Sequence, residues 1–284
     1  MRYCGRDFTK EEINWVQQLI KDRPEINRTK ISVLLCQKIS WFKPDGGLKD
    51  MSCRVALLRM EKDGLLTLPA PQGKHTKPYK KIRTLWAMEQ PVVTKKAGEF
   101  DLVLELVDKK SSALWNEFID RYHYLSYKTL PGAQLRYIVK SKGQFLAFLG
   151  FGAAAWTTAP RDKYIGWDNP TRKKNLHLVI NNARFLILPW IHSKNLASKI
   201  LSLVSRQIGS DWEKRYNYRP VLLETFVEKQ RFQGTCYKAA NWTCVGDTRG
   251  RGKLGQKQGA VPVKSVWLYP LCTDFRNQLS GSVQ

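Results

Sequence analysis

The stretch from residue 181 to residue 242 constrains the fold of this chain more than any other part of the sequence. It contains two short apolar runs, Arg184 to Leu188 and Pro220 to Val227. Between the two runs, apolar residues recur every three or four positions from Leu196 to Ile208. Short apolar runs predict buried strands, and the periodic segment predicts an amphipathic helix. The stretch therefore predicts a strand, a long helix and a second strand, followed by a short helix over residues 232–240.

The sequence around this stretch extends the pattern to a whole domain. Alternating apolar and β-branched residues predict further strands, and Ser141-Lys142-Gly143 is typical of the turn of a hairpin. The predicted strands cover residues 102–107, 135–139, 144–151, 184–188, 220–227, 243–246 and 264–269, with helices over 112–122, about 196–211 and 232–240. The resulting order β, α, β, β, β, α, β, α, β, β predicts an α+β domain with a mixed sheet flanked by helices.

The first 69 residues have a different sequence pattern, which predicts three helical segments. Thr9 and Glu12 have the spacing of a capping box, which predicts a helix from about residue 10 to residue 20. Further helices are predicted near residues 31–39 and 51–62, the third beginning at an Asp50 cap and ending at Gly64, and a short strand is predicted over residues 65–68. Three helices followed by a strand are typical of a winged-helix-like DNA-binding module. A small helical subdomain that only packs against the rest of the chain remains an alternative.

Residues 70–98 predict a basic linker between the helical module and the α+β domain, which is predicted to cover residues 99–272 before a tail at 273–284. The linker is rich in lysine and proline and contains Glu89 as its one acid. Proline keeps such a segment extended, and lysine side chains can follow a phosphate backbone. A solvated hinge without a partner would have the same composition, so both interpretations stay open here.

The charge of the chain predicts a polyanionic partner. Lys and Arg number 48 against 24 Asp and Glu, which gives a formal net charge of +24. DNA is the partner that we expect, because an excess of this size repels itself in a compact protein unless phosphates offset it. The residues predicted to contact nucleic acid are Arg54, Arg59 and Lys62 in the third helix, Lys80 and Lys81 in the linker, Arg172, Lys173 and Lys174, and Arg249, Arg251 and Lys253 in a glycine-rich loop.

Other classes of partner and cofactor are not predicted. The sequence has neither a basic amphipathic helix nor a lipidation motif, and no run of 18 apolar residues, so no membrane association is expected. Six scattered cysteines without a CxxC pair are typical of reduced thiols, which predicts a cytoplasmic protein without disulfides. The four histidines have no Cys or His partner at ligand spacing, so a structural zinc site is not expected.

Acidic residues are the candidates for phosphodiester chemistry. Asp162, Asp168, Asp211 and Glu224 lie in or near the most distinctive parts of the sequence. Two or three converging carboxylates would hold Mg²⁺, so a metal-dependent nuclease using Glu224 and Asp162 is one hypothesis. Glu224 lies within an apolar strand and needs a partner, for which Arg184 is the predicted counter-ion. Such a pair would be structural if buried, and part of a site if it faced a cleft.

The predicted order of elements resembles the GNAT acyltransferase fold. The segment Leu188 to Ala197 lies where that family places its acyl-CoA pyrophosphate loop, with His192 in place of Arg or Gln and Asn195 in place of the first Gly. Tyr237 lies where many of these enzymes have a general acid. The resemblance implies an acyltransferase using Tyr237, but a Cβ atom at residue 195 hinders close approach of a phosphate. We therefore expect no cofactor, or Mg²⁺ if the protein is a nuclease.

Several strings resemble the DruA family of the Druantia anti-phage defence system. They include Leu48 to Arg59, Arg161 to Trp167, Asn181 to Trp190, Leu223 to Val227 and Gly234 to Trp242. The resemblance extends from about residue 9 to residue 270. It implies a bacterial DNA-associated protein of antiviral defence, with partners such as a helicase, or a protein of a mobile element with transposase activity. It implies no set of catalytic residues.

Overall fold

The computed structural model describes residues 1–72, 83–251 and 261–281. The chain divides into two compact units, Met1–Lys80 and Lys81–Gln284. Three of the predicted nucleic-acid contacts, Lys80, Lys81 and Lys253, lie outside the described residues. No helix within the described ranges is both long enough and apolar enough to cross a membrane.

The first unit contains three helices and a two-stranded ribbon. Its elements are β1 (Arg2–Tyr3), β2 (Arg6–Asp7), α1 (Lys10–Asp22), α2 (Arg28–Lys38) and α3 (Asp50–Lys62). The predicted capping box at the start of α1 is confirmed, because Thr9 Oγ1 accepts from the Glu12 N–H at 3.2 Å and Glu12 Oε2 accepts from the Thr9 N–H at 3.1 Å. Side chains such as Ile31, Leu35 and Leu57 form the core of this unit.

Two local predictions for this unit are wrong. Residues 65–68 pair with no strand among the described residues, so the predicted strand does not form. Their backbone instead bonds to side chains of helices: Gln17 Nε2 donates to the Leu65 carbonyl at 2.8 Å, and Glu61 Oε1 accepts from the Leu68 N–H at 2.9 Å. Asp50 is the first residue of α3 and does not cap it.

The second unit contains the α+β domain. Its strands are β3 (Val93–Thr94), β4 (Val103–Leu106), β5 (Gln134–Ser141), β6 (Gln144–Ala153), β7 (Val179–Ile187), β8 (Ile191–His192), β9 (Leu222–Glu228), β10 (Thr243–Asp247) and β11 (Lys264–Pro270). Its α-helices are α4 (Ser112–Tyr122), α5 (Ala159–Ile165), α6 (Asn169–Asn175), α7 (Leu196–Tyr216), α8 (Thr235–Ala239) and α9 (Phe275–Ser280). Short 3₁₀ turns cover Leu85–Ala87, Ala97–Glu99 and Leu176–Leu178.

Seven of these strands form one mixed sheet in the order β10-β11-β9-β7-β6-β5-β4. All neighbours are antiparallel except β7 and β9, which are parallel and are connected through α7. Their parallel pairing covers only three residue pairs, from Val179 with Leu222 to Asn181 with Glu224. The predicted mixed sheet is therefore confirmed, and its strand order resembles the GNAT fold.

Three short helices, α5, α6 and α9, are absent from the sequence predictions. Both α5 and α6 are seven residues long and begin with proline in the first turn, where a missing N–H costs nothing. Helices of two turns have too few residues for a clear apolar period. In α9, Phe275 and Leu279 are buried against the sheet, so this part of the predicted tail packs on the domain.

Residues 83–98, part of the predicted basic linker, belong to the second unit and make defined contacts with the rest of it. The Thr84 N–H and hydroxyl donate to the two carboxylate oxygens of Glu117 at 2.6 and 2.8 Å. Ala87 is buried, and β3 pairs in parallel with β8. These bonds bring Lys95 and Lys96 next to the start of α7.

Candidate functional site

A buried ionic network lies where α5 meets strand β9. Arg161 on α5 donates from Nη1 to Glu224 Oε2 at 2.8 Å, and both side chains are 0% exposed. The other Glu224 oxygen accepts from the Ala155 N–H at 2.7 Å. Burial raises the pKa of the Glu224 carboxyl, while the charge of Arg161 opposes that rise. Both oxygens of Glu224 are thus engaged within the fold.

Asp162 continues the network on the other side of Arg161. Its Oδ1 accepts from Arg161 Nε at 2.9 Å and Nη2 at 2.8 Å, and from Trp167 Nε1 at 3.0 Å. Its Oδ2 accepts from the Thr158 N–H at 3.2 Å and Arg172 Nη1 at 3.1 Å. Two arginines therefore offset two acids, and the network joins α5, α6 and β9.

The structure corrects the predicted partner of Glu224. Arg161, 63 positions away in the chain, is the counter-ion, and Arg184 makes no bond to Glu224. The structure brings Asp162 and Glu224 together through Arg161, so a guanidinium lies where the nuclease hypothesis would require Mg²⁺.

The other two candidate acids lie apart from this network. Asp168 Oδ1 caps α6 by accepting from the Thr171 N–H, and Asp211 Oδ2 accepts from the Tyr137 hydroxyl at 2.9 Å. Within the described ranges, no three His, Cys, Asp or Glu side chains are grouped so that they could hold a metal ion.

Tyr237, the candidate general acid, lies on α8 and is buried. Its hydroxyl donates to Asn182 Oδ1 at 2.9 Å, and its ring contacts Trp242 with centroids 5.1 Å apart. Burial raises the pKa of this phenol. Thr225 Oγ1 also donates to the Asn182 carbonyl at 3.0 Å, so these side chains connect β7 and β9 where their backbone pairing has ended. In this arrangement Tyr237 stabilises the sheet.

One residue of the loop before α7 has a backbone conformation that glycine usually adopts. Asn195 has φ +67°, the left-handed conformation that glycine adopts freely and asparagine tolerates better than most residues. A cavity of about 580 Å³ beside it is lined by Thr94, Lys95, Lys96, Glu99, His192, Ser193 and Lys194. Ser193 Oγ in this lining is buried without a hydrogen-bond partner among the described residues. The site is basic, and the Cβ of residue 195 remains the departure from the glycine pattern.

The residues predicted to contact nucleic acid differ in their exposure and in whether they already form ion pairs. Arg249 and Arg251 follow β10 and are exposed, without an ion pair to any described residue. Lys173 and Lys174 on α6 are also exposed, whereas Arg172 is committed to Asp162. In the first unit, Arg59 and Lys62 are exposed on α3, and Arg54 bonds to Asp50 at 3.3 Å.

A cluster that sequence reasoning missed surrounds Arg184. Arg184 is 9% exposed and donates from Nη1 only to the neighbouring Ala183 carbonyl at 2.7 Å, while its Nε is buried without a partner. His123 is also buried, and its Nδ1 accepts from the Leu125 N–H at 3.1 Å. Burial, together with the charge of Arg184, lowers the pKa of His123 to about 4. The one sequence signal for this cluster is a charged residue within an apolar strand.

The pKa of His123 predicts a loss of stability in acid. The histidine pKa is about 6.5 in an unfolded chain and about 4 in the fold, so only the unfolded state binds a proton between these values. The contribution is present above pH 6.5 and falls as pH drops toward 4, by ~3 kcal/mol at 1.36 kcal/mol per pKa unit. We expect His123→Asn, whose amide oxygen can accept from Leu125, to show a smaller loss in denaturation at pH 7 and pH 5. Equal losses in the two proteins would contradict the assignment.

The second unit is an α+β domain whose mixed sheet, with one parallel pair joined by a long helix, resembles the GNAT fold. The sequence profile of the family described as Druantia protein DruA matches residues 59–261 of this chain. The chain belongs to the DruA family, and the resemblance predicted from its sequence is confirmed.

Solved structures that match part of this chain include acetyltransferases. A polyamine N-acetyltransferase of Drosophila melanogaster is 10% identical, with 60% of this chain and 100% of that chain covered and a TM-score of 0.38. The ribosomal-protein-S18-alanine N-acetyltransferase of Escherichia coli is also 10% identical, over 61% and 95% of the chains, with a TM-score of 0.37. An aminoglycoside acetyltransferase bound to coenzyme A is 14% identical, over 64% and 100%, with a TM-score of 0.39. No conclusion about activity follows from similarity at this level. A comparison with curated proteins found no match.

Proposed function

We propose that this protein binds DNA in a bacterial anti-phage defence system and contacts the nucleic acid through exposed basic loops and its N-terminal unit. The observation that carries the proposal is the excess of cations in the second unit. Residues 83–284 contain 31 Lys and Arg against 15 Asp and Glu. A surface with this balance attracts a polyanion and releases counterions when it binds one.

The ion pairs formed by several acidic residues support this argument. Glu224, Asp162 and Glu117 are held in buried or half-buried ion pairs, and Asp247 at the end of β10 pairs with Lys229 at 2.6 Å. Each such pair is close to neutral as a unit, so the surplus positive charge of this unit lies on other basic residues. Arg249 and Arg251 lie just beyond Asp247 and extend the positive surface toward solvent.

The N-terminal unit supplies the second proposed contact. Its helix α3 exposes Arg59 and Lys62 together with the apolar side chains of Val55 and Leu58. A helix that presents basic and apolar side chains on one exposed face suits a DNA groove, where arginine contacts bases or phosphates and apolar groups contact thymine methyls. A winged-helix-like role for this unit is part of the proposal.

Charge reversal of Arg249 and Arg251 tests the proposal. We expect Arg249→Glu with Arg251→Glu to weaken binding to duplex DNA about tenfold or more at low salt, because two phosphate contacts are lost. The slope of log K against log salt should become shallower by about 2. Fluorescence anisotropy with a labelled duplex measures both quantities.

Lys109 and Lys110 provide a matched control for that experiment. They are adjacent, exposed and precede α4, so Lys109→Glu with Lys110→Glu makes the same change in net charge elsewhere on the domain. The control should keep most of the affinity. Equal weakening in both double variants would show a nonspecific effect of net charge and would exclude the loop as a contact.

Acyl transfer is a second candidate function, which the start of α7 favours. The left-handed Asn195 and the basic cavity lined by Lys95, Lys96 and Lys194 have the character of an anion site at a helix N-terminus. Calorimetric titration with acetyl-CoA tests this candidate. Saturable binding that is lost in Lys95→Glu would support it, and no heat of binding would exclude it.

A further inference from the structure

Arg184 on β7 is a buried cation without a matching anion. Its guanidinium makes one hydrogen bond, to a neutral carbonyl, and its buried Nε makes none to a described residue. The residues outside the described ranges contain no Asp or Glu side chain. Withdrawing an arginine charge from water without a counter-ion is unfavourable. An external anion would supply the missing counter-ion.

The surroundings of Arg184 identify the kind of anion. Burial and, to a smaller extent, the charge of Arg184 lower the pKa of His123, and the charge of Arg184 also acts on Tyr124. The ring of Tyr124 stacks on His123 with centroids 4.9 Å apart and contacts Phe232 at 5.5 Å. Arg231 lies over the Tyr124 ring at 5.3 Å. Three aromatic rings therefore lead from the buried cation to solvent.

The two outer rings of this series, Tyr124 and Phe232, are exposed to solvent. Tyr124 is 38% exposed and Phe232 is 50% exposed, although large apolar rings are normally covered. A nucleobase stacks on exposed aromatic rings, and its phosphate pairs with arginine. Glu228 pairs with Arg231 at 3.0 Å and forms no ion pair with Arg184.

We infer that Arg184, Tyr124 and Phe232 form a nucleotide site in which Arg184 binds a phosphate and Phe232 stacks on an unpaired base. The ligand is a free nucleotide or a nucleotide of an unpaired DNA strand, which share this chemistry. Binding of an unpaired DNA strand here rests on the proposed DNA binding, whereas binding of a free nucleotide does not. A strand bound here would lie on the second unit and would contact residues other than Arg249 and Arg251.

Binding of dTMP and of a short oligo-dT to the full chain tests the inference. We expect Arg184→Met to lose at least about tenfold in affinity for the ligand that binds, since a charge-assisted phosphate contact is removed. Phe232→Ala should lose about fivefold or more, because stacking on one ring is lost. Arg219→Met is the matched control, since Arg219 is an exposed arginine paired with Glu213, and it should bind as the wild type does.

Thermal stability without ligand is a second readout. Arg184→Met should melt at the wild-type temperature or above it, because an unpaired buried charge is replaced by an apolar side chain of similar length. Lower affinity with retained stability is the expected signature. Binding of oligo-dT alone identifies a strand site, and binding of dTMP as well identifies a nucleotide site that does not depend on the DNA proposal.

Three outcomes would overturn the inference. They are wild-type affinity in Arg184→Met, wild-type affinity in Phe232→Ala, and no binding of either probe by the wild type. Duplex binding that depends on Arg249 and Arg251, combined with any of these outcomes, would leave the proposed function standing and remove only the nucleotide site.

Discussion

Arg161→Met is expected to lower the free energy of unfolding by about 3–5 kcal/mol, because it leaves the buried Glu224 carboxylate without a counter-ion. Glu224 and Arg161 are both 0% exposed, so water cannot take over the lost contact. Asp162 also loses two of its hydrogen bonds. Chemical denaturation of the full chain, followed by tryptophan fluorescence, measures the change, since eight of the ten tryptophans lie in residues 83–284.

A surface arginine provides the comparison for this prediction. Arg219→Met removes an exposed pair with Glu213 at 3.1 Å and should cost less than about 1 kcal/mol. Combining Arg161→Met with Glu224→Met should restore part of the lost stability, because the unpaired charge is gone. A loss below about 1 kcal/mol in Arg161→Met would contradict the structural role of the network.

Gly234→Ala is expected to cost about 2–5 kcal/mol through crowding and backbone strain. Gly234 precedes α8 with φ +74°, a conformation that side chains rarely adopt. A Cβ added there would lie 2.6 Å from the Trp267 ring, and this ring is held by a bond from its Nε1 to Ser265 Oγ at 2.9 Å. Because a buried indole cannot turn aside, the start of α8 or the ring must move.

Gly166→Ala separates these two causes. Gly166 ends α5 with φ +83°, but nothing lies within 4 Å of its added Cβ. It should therefore show only the backbone cost, about 1 kcal/mol. Equal losses of stability at the two glycines would show that contact with Trp267 contributes nothing.

The sequence predicted the sheet because the signals for its strands are local. Apolar alternation in β5 and β6, the Lys142-Gly143 turn and the helical period of α7 each lie within one segment. The partner of Glu224 was mispredicted for the opposite reason. Glu224 indicated that some cation was required, but Arg161 lies 63 positions away on a seven-residue helix that has no clear periodicity.

Prediction of the candidate site from sequence was limited for the same reason, because long-range pairing is not visible in local sequence. Exposure of Arg249, Lys173 and Lys174 follows from their polar neighbourhood, but the commitment of Arg172 to Asp162 depends on how α5 and α6 pack. The residue at position 195 was expected to disfavour a phosphate loop, yet its left-handed backbone keeps the shape that glycine would give. The side chain of a loop residue is known from the sequence, whereas its backbone conformation depends on the surrounding fold.

The salt dependence of duplex binding tests the central claim most directly. The full chain and a labelled DNA duplex are titrated between about 50 and 200 mM salt. DNA binding through a surface with this charge predicts a linear fall of log K with log salt, with a slope of about −4 or steeper at about −0.9 per phosphate contacted. A slope near zero, or no binding at the lowest salt concentration, would contradict the proposal that this protein acts on DNA through its basic surface.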